Sequence, residues 1–188
     1  MTPIDAILSR VSCPKLREPG PDDATLELLF RCAARAPDHG LLRPWRFVVF
    51  RGDARAALGD MLAAACLADD PGAGADALDK LRRNPFRAPV VVACVARIVP
   101  DHPKVPPVEQ VAAVAAAIQN MQLAAGALGL GAMWRTGPQA SSAALKQALG
   151  FTPRDEIVGF LYLGTPDGER RSPAAEPVAA FVREWSAP

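Results

Sequence analysis

The segment from Pro107 to Leu128 constrains the fold more than any other part of the chain. It is rich in alanine and long enough for a helix of roughly 33 Å, at about 1.5 Å per residue. The wider stretch Val111–Trp134 is the most apolar in the sequence. Gln119, Asn120, Gln122 and the glycines at 126, 129 and 131 interrupt it, and it lacks the bulky aliphatic density of a membrane span. These features predict a long helix buried in protein. Alanine lets other backbones approach closely, and Gly129 and Gly131 end the helix.

The other elements follow from caps, breakers and periodicity. Thr2 and Pro3 start a helix running to about Ser9. After the break at Pro19–Pro21, Asp22 and Asp23 start a second helix with Leu26, Leu29, Phe30 and Ala33 on one face. Pro37 ends it, and residues 37–45 form a loop. Residues 46–50 read as a strand, and 54–67 and 75–83 as helices. Residues 89–98 are strand formers apolar on both faces, hence a central strand. Four prolines make a loop of 99–107. A short strand is expected at 132–136, a helix at 141–149 capped by Ser141 and closed by Gly150, and a buried strand at 156–164. From about Pro166 the tail is a polar loop followed by the apolar-patterned PVAAFVREW. Interleaved helices and strands predict one α+β domain over residues 1–188. It is a three-layer sandwich whose mixed central sheet is covered by helices on both faces, with the long helix buried.

Charge and cysteine usage remove several functions. Twenty-one basic residues balance 20 acidic ones, unlike a nucleic-acid binder driven by phosphate neutralisation. Cys13, Cys32, Cys66 and Cys94 form no C-x-x-C pair, so neither a zinc site nor a thioredoxin-type motif is signalled. Reduced thiols acting as small core hydrophobes are expected. With two histidines, no multi-histidine metal centre is available. The start MTPIDAILSRVS lacks the cationic segment and apolar run of a signal peptide, so a cytoplasmic protein with no membrane partner is expected.

The motif GALGLG (126–131) reads G-x-x-G-x-G and lies at a helix end. A phosphate cradle needs a helix N-terminus aimed at the anion, so this is not a dinucleotide loop. Three clusters remain: Arg10, Ser12 and Lys15 after the first helix; Arg35, Asp38 and His39 around Pro37; and Trp134, Arg135 and Thr136 on a strand bounded by glycines. Arginine gives forked hydrogen bonding to phosphate or to a flat heterocycle. Each cluster also has a plainer reading. Arg35 suits a helix C-terminus, as Glu109 suits the first turn of the long helix; Trp134 suits a core or an interface; His102 and Lys104 suit a solvated loop.

RAPDH (35–39), PW (44–45), NPFRAP (84–89), KVP (104–106), EQ (109–110), WRTG (134–137) and VGFLYLGTP (158–166) occur in an order and spacing that resemble the nitroreductase family, in particular its small single-domain bacterial NAD(P)H enzymes. The resemblance covers nearly the whole chain. It implies a homodimer with exchanged segments and two FMN sites at the subunit interface. By that resemblance Arg10, Val11 and Ser12 grip the phosphate end of FMN. Val11 stands where the family has arginine, and Lys15 likewise. Arg35 and His39 contact the flavin, with His39 reaching the partner's FMN. Trp134, Arg135 and Thr136 also hold flavin from the partner. Ala124, Ala125, Gly126, Ala127, Leu128 and Gly129 match a stretch associated with NADH or NADPH.

The implied activity is ping-pong hydride transfer from NAD(P)H, through FMN, to a nitroaromatic, quinone or similar small-molecule acceptor. A cation near the flavin pyrimidine favours reduction, and Arg35 or Arg135 could supply it. No catalytic side chain is required. A non-catalytic flavin-binding scaffold, suggested by Val11 and Lys15, is an alternative. Flavin-dependent dehydrogenation or dehalogenation on the same fold is another.

Overall fold

Every residue of Val90–Ala96 is apolar and every one is buried. That is the signature of a strand covered on both faces. Val90, Val92, Cys94 and Ala96 face one core and Val91, Ala93 and Val95 the other, following the two-residue period of a strand. The computed structural model describes residues 2–168, 172–174 and 176–186. Residues 169–171 and 175, part of the expected polar tail loop, lie outside the described residues, as do residues 1 and 187–188.

In chain order the elements are α1 (Pro3–Leu8), β1 (Leu16–Arg17), α2 (Asp23–Ala33), β2 (Trp45–Arg51), α3 (Ala54–Asp69), α4 (Ala75–Arg83), β3 (Val90–Ala96), α5 (Pro107–Ala127), β4 (Gly131–Arg135), α6 (Ala143–Ala148) and β5 (Glu156–Pro166). Short 3-10 turns lie at His39–Leu41, Asn84–Arg87, Pro138–Ser141 and Val178–Ala180. On one face of the sheet, α2 and α5 pack over Leu161 and Leu163 of β5. On the other, α3 and α6 pack over Phe160 and Tyr162. The three layers are as the sequence predicts.

The strand directions are not. The sheet was expected to be mixed, but among the described residues every pairing is antiparallel: β2 with β3, and β5 with β3, β4 and β1. Two helices, α3 and α4, separate β2 from β3. The chain therefore reverses once more than in a one-helix crossover, and β3 returns against β2. Two further differences are local. The two-residue β1 carries no periodicity long enough to read. The helix expected at 141–149 begins at Ala143, because Pro138–Ser141 forms its own turn. Ser142, not Ser141, takes the cap position, where it makes no side-chain cap bond.

Predicted caps are present elsewhere. Thr2 and Asp5 form a reciprocal capping box on α1, and the Asp22 carboxylate accepts from Thr25 N at 2.8 Å. Gln110, fully buried in the first turn of α5, fastens the proline loop before it. Its Nε2 donates to Val99 O (2.9 Å) and Val105 O (3.1 Å), and its Oε1 accepts from Val99 N (2.9 Å). His102 Nδ1 accepts from Val105 N at 3.0 Å, so it shapes the same loop. Cys94 and Cys13 are buried, Cys32 and Cys66 half-buried, and all four are free thiols.

Asp155 ties the exit of β3 to the approach to β5. Its carboxylate accepts from Ile98 N (2.9 Å), Thr152 N (2.8 Å) and the Thr152 hydroxyl (2.9 Å). Burial pushes this carboxyl up, but the hydrogen bonds and nearby Arg97 outweigh it and hold it below the usual range. A depressed folded pKa stabilises above the unfolded value, and that contribution is lost as pH falls through the folded one. Asp155→Asn should therefore cost about 1–3 kcal/mol at pH 7. Urea unfolding at pH 7 and at pH 3 should show the gap to wild type narrowing in acid.

Candidate functional site

Three segments distant in sequence converge beside the C-terminal half of α5. The chain leaves α1 and passes through Arg10, Val11 and Ser12. It is then pinned to β4 by a hydrogen bond from Cys13 N to Ala132 O (2.9 Å). Gly131 makes this approach possible: a Cβ there would lie 3.1 Å from the Cys13 Cβ and closer still to Leu16. The result is an open groove of about 350 Å³ lined by Arg10, Ser12, Gln119, Gln122, Trp134 and Thr136.

The groove combines unlike groups. Arg10 and Ser12 present a forked cation and a hydroxyl, a pair suited to phosphate. Gln122 is 6% exposed, and its Nε2 donates to Gln119 Oε1 at 3.2 Å. Trp134 offers an apolar face, and its Nε1 donates to Val158 O at 3.2 Å. That indole lies against Gly159, where β5 bulges opposite Cys94 and Val95. Gly159 has φ +154, and a Cβ on it would collide with Trp134 Nε1 and sit 2.7 Å from Arg135 O. No other residue fits there.

A tighter cleft adjoins the groove, lined by Arg10, Val11, Gln122, Gly126 and Ala127 among others. It divides the stretch matched to NAD(P)H. Gly126 and Ala127 reach the cleft, whereas Ala125 is fully buried and Ala124 packs on the core. Leu128 is exposed and Gly129, at φ +80, closes the helix.

His39 and Arg35 lie elsewhere. Arg35 is exposed just past the end of α2, its N–H donating to Cys32 O at 3.1 Å. His39 Nδ1 is 2.6 Å from Glu109 Oε2 in the first turn of α5. The ten residues from Glu109 to Gln119 place this pair about 15 Å from the groove along the helix axis. The loop beyond is conformationally costly: Gly40, Leu41 and Arg43 all have positive φ, and Asp38 accepts from Arg43 N at 2.6 Å. Non-glycine residues held this way recur at functional sites.

Arg135 is separated from Trp134 by the alternation of β4. It lies on the opposite face of the sheet, 5.7 Å over the Tyr162 ring. Burial opposes its charge first, and neighbouring Arg87 adds to that. One chain thus joins Arg10, Ser12, Trp134 and Thr136, which the resemblance had divided between two subunits. It leaves Arg35, His39 and Arg135 outside that groove. Sequence reasoning passed over three side chains. Gln119 and Gln122 entered only as interruptions of an apolar run, yet their i, i+3 spacing puts them on one helix face. Glu109 was read as a dipole partner, and it also holds His39.

The Nitroreductase family model matches residues 7–165. The chain belongs to the nitroreductase family. It is 40% identical over 168 residues to "Putative NAD(P)H nitroreductase YdjA" of Escherichia coli (strain K12), covering 88% of this chain and 89% of that one. A Haemophilus influenzae protein, also named "Putative NAD(P)H nitroreductase", is 35% identical over 165 residues, covering 88% and 89%. Among solved structures, a nitroreductase-like family protein from Bacillus cereus superposes with TM-score 0.83 at 22% identity, covering 100% of this chain and 97% of that one. A Desulfovibrio desulfuricans structure in complex with FMN gives TM-score 0.72 at 28% identity, with 100% and 99% covered. The similarity extends over the fold and nearly the whole length of the chain.

If the empty space at residue 159 seats the indole, Gly159→Ala should destabilise the chain by about 1–3 kcal/mol through overpacking. It should also shift the fluorescence of Trp134. Chemical denaturation alongside emission spectra checks this; a wild-type midpoint and spectrum would mean the indole is held some other way.

Proposed function

We propose that this nitroreductase-family chain is an FMN-dependent NAD(P)H oxidoreductase that reduces nitroaromatics, quinones or similar organic acceptors by ping-pong hydride transfer. It would act as a single domain over residues 1–188, in a cytoplasmic homodimer. The carrying observation is the convergence of Arg10, Ser12, Gln122, Trp134 and Thr136 on one open groove.

The groove fits the cofactor by its chemistry. Arg10 and Ser12 suit a terminal phosphate. Gln119, Gln122 and Thr136 offer amide and hydroxyl groups to a polar chain and ring edge, and Trp134 gives a flat apolar wall. Val11 contributes backbone and a short apolar side chain beside them. When bound, FMN supplies hydride acceptance from NAD(P)H and hydride donation to the acceptor. The protein's part is placement and field. Arg35 is assigned the cation facing negative charge that develops on the ring, since Arg135 is turned toward Tyr162. Glu109 holds the His39 ring in one orientation. Gly126 and Ala127, small residues at the mouth of the adjoining cleft, leave room for the nicotinamide nucleotide.

A homodimer answers two features. One chain holds the groove and the Arg35–His39 corner at separate places, so a shared site needs a second copy. Apolar side chains are also left in water: Ile4, Ile7 and Leu8 on α1, and Phe181, Val182 and Trp185 in the tail. Such residues at both termini are what exchanged segments would cover.

Purified protein should be yellow, bleach on addition of NADH or NADPH, and recolour with a nitroaromatic. Arg10→Ala should weaken FMN binding by at least tenfold, measured by fluorescence titration. Colour that NAD(P)H cannot bleach would favour the scaffold reading. Protein that stays colourless after incubation with FMN would overturn the proposal.

A further inference from the structure

Behind β4, on the face opposite Trp134, a second cavity of about 90 Å³ collects polar groups with nothing to bind. Asn84 and Arg87 reach it from the turn before β3, Arg135 from β4, Gln139 from the turn after β4, and Tyr162 from β5, over an apolar floor that includes Phe160. Among the described residues, the side chains of Asn84, Arg87, Gln139 and Tyr162 make no hydrogen bond or ion pair, and Arg135 makes only its contact with the Tyr162 ring. Tyr162 is 5% exposed as a whole, and it lines the cavity without a hydrogen-bond partner from the protein.

We propose that this cavity is a binding site for a phosphate-type oxyanion, held by the Arg87 and Arg135 guanidiniums and by the Tyr162 hydroxyl, with Asn84 and Gln139 as further donors. Two arginines close enough to oppose each other's charge, with no carboxylate among the described residues that line the cavity, repel at a cost that an anion reverses. Guanidinium forks match the spacing of phosphate oxygens. The Tyr162 hydroxyl, which no protein group engages, is free to donate to the same ligand. Burial raises the Tyr162 phenol, so it stays protonated at neutral pH and donates. The volume admits a phosphate group, so the ligand is either the free ion or the phosphoryl end of a larger molecule. The proposal does not rest on the flavin assignment: the cavity lies across the sheet from Arg10, Ser12 and Trp134, and of the groove's lining residues Thr136, at the end of β4, borders both.

The test uses the protein as purified, with flavin content measured throughout. Isothermal titration with inorganic phosphate at constant ionic strength should show one saturable site per chain that chloride does not reproduce. Arg87→Gln should weaken phosphate binding at least tenfold with unchanged flavin content, and Tyr162→Phe should weaken it several-fold. Tyr162→Phe keeps the ring and the packing, so it serves if the arginine variant fails to fold. Adenosine 2′,5′-bisphosphate separates the sources: binding at least tenfold tighter than inorganic phosphate, and lost in Arg87→Gln, means a phosphoryl end, whereas equal or weaker binding means the free ion. Equal heats for phosphate and chloride would overturn the proposal. So would phosphate binding that survives both variants but disappears in Arg10→Ala.

Discussion

Where β4 crosses β5, the two strands come so close that residue 159 has no room for a side chain and the Trp134 indole occupies the space. Much of the site depends on this contact. The bulge that frees Gly159 alters the register between Cys94 and Val95. It also leaves Val158 O available to the indole N–H. With the ring pinned, Thr136 is carried to the rim of the groove and Arg135 to the opposite face. One steric fact thereby separates an open groove that suits a flat ring from a cation-rich cavity behind it.

A second close approach completes the groove. The Arg10–Ser12 segment has no regular structure to hold it, and α1 buries none of its residues. Its position comes from the Cys13–Ala132 hydrogen bond and from the missing side chain at Gly131. This surface segment, proposed to grip phosphate, is therefore fixed by backbone contact with the core strand next to it rather than by a deep hydrophobic anchor.

Legibility in the sequence tracked the range of the interactions. α5, β3 and β5 were readable because continuous burial writes itself as continuous apolar character, and the caps at Thr2 and Asp22 are local chemistry. Strand direction was not readable, because whether one helix or two intervene before the chain rejoins the sheet leaves no periodicity in the strands themselves. β1 is too short to show a pattern, and Ser142 displaced Ser141 because Pro138 opens a separate turn. For the site, resemblance supplied Arg10, Ser12, Trp134 and Thr136, but only tertiary structure assembled them in one chain. Gln119 and Gln122 were visible as polar interruptions; that they face a groove depends on what packs across α5. Arg87 lies in a recognised segment, yet its unpaired charge becomes meaningful only beside Arg135.

The helix that constrained the fold also separates the two sets of residues proposed for the site. Its first turn holds His39 through Glu109, and its later turns present Gln119 and Gln122 to the groove about 15 Å away. A rigid helix cannot bring its own ends together, so no motion within one chain unites the two sets of residues. In the proposed homodimer a two-fold partner would do so, by setting the opposite end of an identical helix beside each groove. The alanines along α5 are consistent with this, since small side chains allow α2 and the sheet to pack closely against it and fix its direction. In the proposed homodimer the apolar residues exposed on α1 and along the tail would be covered as each chain lends its ends to the other, and the groove would be finished by residues that its own backbone cannot deliver.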